Sequence, residues 1–472
     1  MNLYKKMASD TLLFGISSFT SKFLIFILIP LYTRVLTTEE YGVVDLLINL
    51  INMTYPLLTL SIAEAVLRFT LEKDKDPNKV LSVSLFLLFF AGIILILFTP
   101  VIHCFSESLS IYWIPFIALF IGYGLQNIFA FYCKGKGLTR LFAVQGIIHT
   151  ICTIILNVIL LLFFKFGMAG YLIATISAYY FAVLYMILAG KLLPDIKNFK
   201  IDKLIMKTML IYSIPMIPSM IAWWINSSAD KYMIIAFIGM GASGIYAVSC
   251  KIPSIINTVS DIFNQAFFLS SVNNYKENGN DLFYKNISHY FVLLCVVCCY
   301  LLIGCSELIG KLLFANEYYM GWTLIPYLLL ASVFSSMSAF LASIFRTLMK
   351  TNVLFFSTGI GALVNIFLNF IFIKKYGIIG AAYGTLIGFI VVWIMRQYVL
   401  KKYMNVNMLT IKNCLLFFIL LIEAFIMNKN LAFKYYYVVC LGAILFGLCL
   451  RDFTVIKTKV KMLIAHILQK KG

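Results

Sequence analysis

The chain has 472 residues, of which 62% are hydrophobic, 16% are aromatic and only 12% are charged. A soluble globular protein of this composition would have too few polar side chains to cover its surface. The composition therefore excludes soluble enzymes and soluble binding domains and predicts an integral membrane protein. The formal net charge of +19 does not indicate a nucleic-acid partner, because membrane proteins concentrate Lys and Arg in their cytoplasmic loops.

Apolar runs long enough to cross a bilayer recur along the chain, separated by charged residues, Pro, Gly or Asn. A membrane-spanning helix needs about 20 apolar residues, and fourteen such runs are present, the last two being short. In chain order the predicted spans are 11–33, 41–67, 80–103, 111–132, 141–164, 168–188, 208–238, 242–270, 287–309, 322–345, 353–373, 378–400, 411–427 and 435–450. We therefore predict an all-α integral membrane protein of about fourteen transmembrane helices.

The distribution of Lys and Arg predicts how these helices are oriented. The N-terminus, every second connection and the C-terminal tail hold 28 of the 38 basic residues, and the alternate connections hold 7. Because basic residues are enriched on the cytoplasmic side of a membrane, both termini are predicted to be cytoplasmic. The tail interleaves apolar residues with Lys, which predicts a basic amphipathic helix on the inner leaflet.

Two motifs recur in the two halves of the chain. Lys165-Phe-Gly-Met-Ala-Gly170 returns 210 residues later as Lys375-Tyr-Gly-Ile-Ile-Gly380, and Tyr41-Gly-Val-Val44 resembles Ser243-Gly-Ile-Tyr246. Transporters are often built from internal repeats, and repeats with an even number of spans are related by an axis along the membrane normal. The predicted domains are an N-terminal six-helix lobe (1–193), a basic cytoplasmic linker (194–207), a C-terminal six-helix lobe (208–402), two appended helices (403–450) and the amphipathic tail (451–472).

Three Lys residues, Lys22, Lys231 and Lys251, lie inside predicted spans. A charge at the bilayer centre costs about 2.5–3.5 kcal/mol, so such residues face water or a partner. Together they predict a cationic chamber that binds a substrate with two or more negative charges, such as a pyrophosphate. Arg68, near the cytoplasmic mouth, is a fourth candidate for substrate binding.

The candidate residues for ion coupling or charge pairing are Asp230, Glu64 and Asp261. Glu64 and Arg68 are four residues apart and are predicted to form an ion pair on one helix face. The side chains of Asp230 and Lys231 point about 100° apart, so each needs its own partner. Two interpretations stay open: Asp230 pairs with Lys251 or Lys22 to fix helix packing, or Lys231 binds the anion while Asp230 takes part in ion or proton coupling.

Residues suited to catalysis or metal binding do not group in the sequence. The four His residues, at positions 103, 149, 289 and 466, lack the paired spacing of a metal site. Lys134-Gly-Lys-Gly137 lacks the spacing of a phosphate-binding P-loop. We predict no catalytic residue, no metal and no cofactor.

The stretch from Ser21 to Asp45, SKFLIFILIPLYTRVLTTEEYGVVD, resembles the first-helix signature of bacterial polysaccharide-biosynthesis flippases. Asp230-Lys-Tyr-Met-Ile, Ser243-Gly-Ile-Tyr-Ala-Val-Ser249 and Gly377-Ile-Ile-Gly-Ala-Ala-Tyr-Gly-Thr385 extend the resemblance. It implies the fold of the multidrug/oligosaccharidyl-lipid/polysaccharide exporter superfamily, with two six-helix lobes around a central cavity. It also implies a bacterial plasma or inner membrane location and an oligosaccharide substrate on an undecaprenyl pyrophosphate carrier.

The function implied by this resemblance is that of a flippase, which moves the lipid-linked oligosaccharide from the cytoplasmic to the outer leaflet by alternating access. Polysaccharide polymerases or glycosyltransferases are candidate protein partners. One alternative is a multidrug or cation antiporter of the same fold, whose cavity should be acidic. The other is a membrane-embedded glycan polymerase or ligase, which would lengthen or transfer the glycan.

Overall fold

The computed structural model describes residues 26–72, 75–105, 110–277, 281–348, 350–429 and 431–469. Helices and the turns between them make up these ranges, and no strand lies within them, which confirms the predicted all-α class. In chain order the helices are α1 (Phe26–Val35), α2 (Thr38–Leu58), α3 (Ile62–Thr70), α4 (Pro77–Leu97), α5 (Thr99–Phe105), α6 (Trp113–Gly135), α7 (Thr139–Val158), α8 (Gly167–Ala189), α9 (Leu193–Lys197), α10 (Lys203–Ser213), α11 (Ile217–Phe237), α12 (Met240–Ser249), α13 (Ser254–Glu277), α14 (Asp281–Gly304), α15 (Ser306–Leu313), α16 (Ile325–Thr347), α17 (Thr351–Tyr376), α18 (Ile378–Leu400), α19 (Ile411–Met427) and α20 (Lys434–Gln469).

Within the described ranges, ten helices are long and apolar enough to cross a membrane, so the predicted count of fourteen spans is approximate. Some predicted spans are broken into two helices. Leu60 and Ser61 have φ of 54° and 53°, which separates α2 from α3. A 3-10 turn, Ile214–Met216, separates α10 from α11 beside Pro215 and Pro218, which have no backbone N–H to donate.

The chain divides into two compact units. Unit 1 comprises Met1–Lys251, Leu313–Met320 and Thr358–Ala381, and unit 2 comprises Ile252–Leu312, Gly321–Ser357 and Ala382–Gly472. This division differs from the predicted linker position, since unit 1 includes α10, α11 and α12. The helix α20 also continues without a break through the predicted boundary at residue 450. The lobe and tail boundaries stay a prediction.

One repeated motif adopts the same local structure in both copies. Gly167 and Gly377, which are 210 positions apart, have φ of +53° and +64°, a left-handed conformation that glycine adopts without strain. Three residues later, Gly170 and Gly380 each pack against a backbone carbonyl oxygen near the end of the preceding helix. Both copies are therefore tight helix–turn–helix corners, which supports the predicted internal repeat.

The other repeated motif lies where α2 and α12 cross in unit 1. A Cβ atom added to Gly42 would lie 2.5 Å from the carbonyl oxygen of Met240, and one added to Gly244 would lie 2.0 Å from that of Thr38. Membrane helices approach each other this closely where small residues face one another. The two copies of the motif therefore contact each other through their glycines.

A capping box fixes the start of α2. The Thr37 hydroxyl accepts a hydrogen bond from the Glu40 N–H at 3.2 Å, and the Glu40 carboxylate accepts one from the Thr37 N–H at 2.8 Å. The Thr38 hydroxyl donates to Glu317 at 2.9 Å, and the Tyr318 hydroxyl donates to the Thr37 carbonyl at 2.7 Å. These bonds hold the N-terminal end of α2 within unit 1.

The predicted cytoplasmic linker is folded against the helices of unit 1. Lys136 Nζ lies 2.6 Å from Asp195 Oδ2, and Lys79 Nζ lies 2.9 Å from Asp202 Oδ2. The hydrogen bond from Lys79, together with two backbone N–H groups at the start of α10, lowers the pKa of the Asp202 carboxyl. Asp202 is thus the N-cap of α10 and also joins that helix to α4.

Unit 2 is organised around α16, which is buried along nearly its whole length. The Phe340 ring on this helix stacks on Phe267, with ring centroids 4.4 Å apart. Arg396 is also buried, and its guanidinium donates to the Ser357 hydroxyl at 2.9 Å and to the Ser338 carbonyl at 2.8 Å. A buried cation needs such bonds because it has lost its hydration.

We expect Gly244→Ala to lower the free energy of unfolding by about 1–3 kcal/mol, the usual effect of overpacking. The reason is that the added methyl would lie 2.0 Å from a backbone oxygen of α2, which moves only if the helix moves. Denaturation of the purified protein in detergent measures the change. Gly359→Ala is the matched control, since its added Cβ would meet nothing within 4 Å. Equal losses of stability in the two variants would contradict the crossing described here.

Candidate functional site

A buried ion pair joins α2 and α11 in unit 1. Lys231 Nζ lies 2.7 Å from Asp45 Oδ2, and both side chains are largely shielded from solvent. Asn49, one turn after Asp45, donates from its amide to the same carboxylate oxygen at 2.8 Å. The Lys231 ammonium and the Asn49 amide therefore share one acceptor, which offsets the cost of placing charge between apolar helices.

The contact continues along the two helices as hydrogen bonds to Asn49. The Ser228 hydroxyl donates to the Asn49 side-chain oxygen at 3.1 Å, and the Trp224 indole N–H donates to the Asn49 carbonyl at 2.9 Å. Residues 224, 228 and 231 share one face of α11 because they are four and three positions apart. We call Asp45, Asn49, Trp224, Ser228 and Lys231 the α2–α11 cluster.

Asp230 has a separate set of contacts, as the 100° angle between adjacent helical residues requires. Its carboxylate accepts a hydrogen bond from the Tyr246 hydroxyl of α12 and another from the Lys231 backbone N–H at 2.9 Å. Asp230 is buried, and so is Tyr246. The adjacent acid and base thus hold two different helices, since Lys231 contacts α2 and Asp230 contacts α12.

Lys251 lies in the turn between α12 and α13, at the edge of unit 1, rather than within a helix as predicted. It interacts electrostatically with Lys231 and with Tyr171. The ring of Tyr171 stacks on Tyr32, with centroids 4.4 Å apart, and on Tyr41, with centroids 6.0 Å apart. Buried tyrosines therefore lie beside the charged residues, and they offer hydroxyl groups rather than further charge.

Three of the four remaining predicted site residues lie in the part of the chain that the structure describes. Glu64 and Arg68 are on α3, and Asp261 is an exposed residue of α13 in unit 2. Lys22 falls outside the described residues.

One geometric expectation needs correction. Arg68 pairs with Glu72 at 3.2 Å, four residues towards the C-terminus, rather than with Glu64. Lys231 has a partner of its own, Asp45.

Two residues central to the site were not assigned a role from sequence, namely Asp45 and Tyr246. Asp45 and Asn49 are spaced i, i+4 in an apolar span, which is a signal that they share one helix face. Nothing in the sequence indicates that this face meets Lys231, which lies 186 positions away. Tyr246 belongs to the repeated motif, but its hydroxyl has no local signal of a carboxylate partner.

Several solved structures of membrane transporters have a fold similar to that of this chain. The solved lipid II flippase MurJ, in an inward closed conformation, superposes with a TM-score of 0.71 at 16% identity, covering 95% of this chain and 99% of that chain. An inward-facing multidrug resistance MATE family transporter of the MOP superfamily has a TM-score of 0.64 at 18% identity, covering 82% of this chain and 99% of that chain. A MOP superfamily transporter from Pyrococcus furiosus has a TM-score of 0.58 at 14% identity, covering 83% of this chain and 95% of that chain. The chain therefore has the MOP superfamily fold.

The family is shown by the sequence itself. Residues 7–268, more than half of the chain, match the family described as polysaccharide biosynthesis protein, and the chain belongs to that family. No curated protein sequence matches the chain. The predicted family and fold are thus confirmed.

We expect Asp45→Asn and Lys231→Met each to lower the free energy of unfolding by about 3–5 kcal/mol, because each leaves a buried charge without its partner. The double variant removes both charges and should recover most of that loss. A double-mutant cycle measured by denaturation in detergent gives the coupling energy.

The matched control is Glu72→Gln, which breaks a pair whose Arg68 side chain is 61% exposed. It should cost no more than about 1 kcal/mol. Single variants of the buried pair that were no less stable than this control would show that the 2.7 Å contact contributes little.

Proposed function

We propose that this protein is a flippase that moves a polyprenyl-pyrophosphate-linked oligosaccharide from the cytoplasmic to the outer leaflet of a bacterial membrane, for cell-surface polysaccharide synthesis. The observation that carries the proposal is the match of residues 7–268 to the polysaccharide biosynthesis family. The fold supports it, because MurJ, described as a lipid II flippase, has the same architecture over 95% of this chain.

The charges of unit 1 suggest which cations would meet the substrate. Asp45 offsets Lys231, so the α2–α11 cluster is neutral as a whole. Lys251 lies next to it in a turn, where a short backbone movement changes the position of its ammonium group. We assign contact with the pyrophosphate to Lys251, Lys22 and Arg68, and to Lys231 if its pair with Asp45 opens.

The acidic candidates have different surroundings. Asp230 is buried against Tyr246, which favours a role in holding α11 and α12 together over direct contact with an anion. Glu64 and Asp261 stay proposed coupling or charge-pair residues. Asp45 joins them, because an acid that releases or recaptures Lys231 would link substrate charge to the packing of α2 on α11.

Alternating access needs helices that bend or separate on one side of the membrane at a time. The 3-10 turn between α10 and α11 interrupts the regular hydrogen bonding beside Pro215 and Pro218, and it is the proposed hinge. The loss of backbone hydrogen bonds at such a turn lets the two helical segments change their angle. Cytoplasmic termini are part of this proposal, since they follow from the distribution of basic residues.

The two alternatives lead to different observations. A multidrug antiporter of this fold would move organic cations. The match to the polysaccharide biosynthesis family does not favour that function. A glycan polymerase or ligase would change the covalent structure of the glycan. The solved structures compared above are those of transporters, which favours transport over a glycan-modifying activity.

Deletion of the gene should cause a lipid-linked oligosaccharide to accumulate with its head group facing the cytoplasm. Labelling of the sugar in membrane vesicles, with a reagent that reaches one leaflet only, measures this orientation. Unchanged orientation and amount of every lipid-linked sugar in the deletion strain would contradict the flippase proposal.

Complementation of that deletion tests the role of Lys251. Lys251→Gln should fail to restore the outward-facing sugar, whereas Lys251→Arg keeps the positive charge and should restore most of it. Lys285→Gln, a change at an exposed Lys of α14, is the control for loss of one charge. Full restoration by Lys251→Gln would remove Lys251 from the substrate site and leave the flippase function itself untouched.

A further inference from the structure

Glu423 is a buried acid in the appended helix α19. It lies four residues before Met427, the last residue of the helix, and its exposed fraction is 0%. Neither of its carboxylate oxygens has a hydrogen-bond partner among the residues that the structure describes. An ionised carboxylate without water or a partner is among the least favourable groups to bury, so this side chain needs a ligand that neutralises it.

The surroundings of the carboxyl group are apolar and tightly packed. A Cβ atom added to Gly304 of α14 would lie 3.4 Å from Glu423 Oε1 and 3.5 Å from a methyl carbon of Val438 on α20. The Tyr300 hydroxyl, one turn before Gly304, donates to the Val438 backbone carbonyl. The missing side chain of Gly304 thus leaves the space that the carboxyl group occupies, between α14, α19 and α20.

Within the part of the chain that the structure describes, two titratable groups of α14 interact electrostatically with Glu423. They are Cys299, whose exposed fraction is 0%, and Tyr300. α20 presents Val438 to the carboxyl group, and α16 packs on α19 through Phe334. Within the described ranges, no Lys, Arg or His forms a hydrogen bond to this carboxylate.

These neighbours decide the kind of ligand. A hard metal ion such as Ca²⁺ or Mg²⁺ takes about six or more oxygen ligands, and the described neighbours supply a thiol, a glycine, a valine and one tyrosine hydroxyl that already donates to Val438. A proton needs no further ligand and removes the charge completely. We propose that Glu423 is a proton-binding site of the appended helix pair α19 and α20, and that loss of its proton loosens the packing of α19 on α14.

Two ion clusters, each with one residue on α20, contain the other groups whose response to pH is compared with that of Glu423. Glu307 lies 2.8 Å from Lys311 and also pairs with Lys434, and hydrogen bonds from these two Lys residues lower the pKa of Glu307 to about 2. Glu307 therefore stays ionised across the neutral range. His289 lies 3.0 Å from Asp452, and histidine is the residue type that most often changes charge near neutral pH, so it is the group to be excluded by experiment.

The protonation state is tested with dicyclohexylcarbodiimide on the purified full chain. A protonated carboxyl adds to this reagent: its oxygen bonds to the central carbon, its proton moves to a nitrogen, and the acyl group then migrates to give a stable N-acylurea. Mass spectrometry should find the adduct on Glu423, with a yield that falls as pH is raised, and no adduct at this position in Glu423→Gln. An unmodified Glu423 at every pH, or a yield that does not depend on pH, would overturn the proposal.

The structural consequence is tested through the neighbouring thiol. The rate of maleimide modification is measured at Cys299 itself. Because this rate rises with pH for any thiol, the informative quantity is the rate in the wild-type chain divided by the rate in Glu423→Gln. This ratio should rise as Glu423 loses its proton, and His289→Gln should show the same rise as the wild type. A constant ratio, or a rise abolished by His289→Gln, would contradict the proposal.

Both measurements are independent of the cargo. They use no glycan and no lipid carrier, so a negative result leaves the flippase proposal standing. A failure of the deletion experiment would equally leave the proton site in place.

Discussion

The ion pair between Lys231 and Asp45 is the constraint on which the described site depends. A charge near the centre of a bilayer costs about 2.5–3.5 kcal/mol. The pair offsets that cost by placing opposite charges 2.7 Å apart on two helices. Once α11 faces α2 in this way, Asn49 lies opposite Ser228 and Trp224. Because adjacent helical residues diverge, the same geometry turns Asp230 towards α12, whose glycine crossing with α2 brings it close enough for the Tyr246 hydroxyl to bind. Three helices are therefore positioned by two adjacent residues of opposite charge.

Sequence reasoning was accurate where the physics is local or compositional. The helical class follows from uninterrupted apolar runs, and the two similar corners at Gly167 and Gly377 follow from a motif that recurs 210 residues later. It failed where the outcome depends on tertiary packing. Glu64 has the right spacing to pair with Arg68, but Glu72 has it too, and spacing alone does not choose between them. The partner of Lys231 lies 186 positions away, a distance over which no local pattern carries information.

The pairing of Lys231 with Asp45 determines how the proposed transport would work. An unpaired Lys231 would attract a pyrophosphate directly, whereas a paired one must first leave Asp45. A substrate anion would then compete with a carboxylate for the same ammonium group, which connects cargo binding to helix separation without any further device. Lys251, in a turn beside the pair, is a further proposed contact of the pyrophosphate. The proposed proton site at Glu423 belongs to unit 2, and its measurements are independent of the cargo.

The central claim is that the protein moves a lipid-linked, phosphate-bearing head group across a bilayer. Its most direct measurement uses the purified protein in liposomes with a polyprenyl-pyrophosphate oligosaccharide whose sugar is accessible to a membrane-impermeant reagent in one leaflet only. The account predicts that the protein transfers the sugar to the protected leaflet with its chain length unchanged, and that liposomes without protein do not. Either of two results would contradict it: the protein exports an organic cation and does not transfer the sugar, or the protein lengthens the glycan.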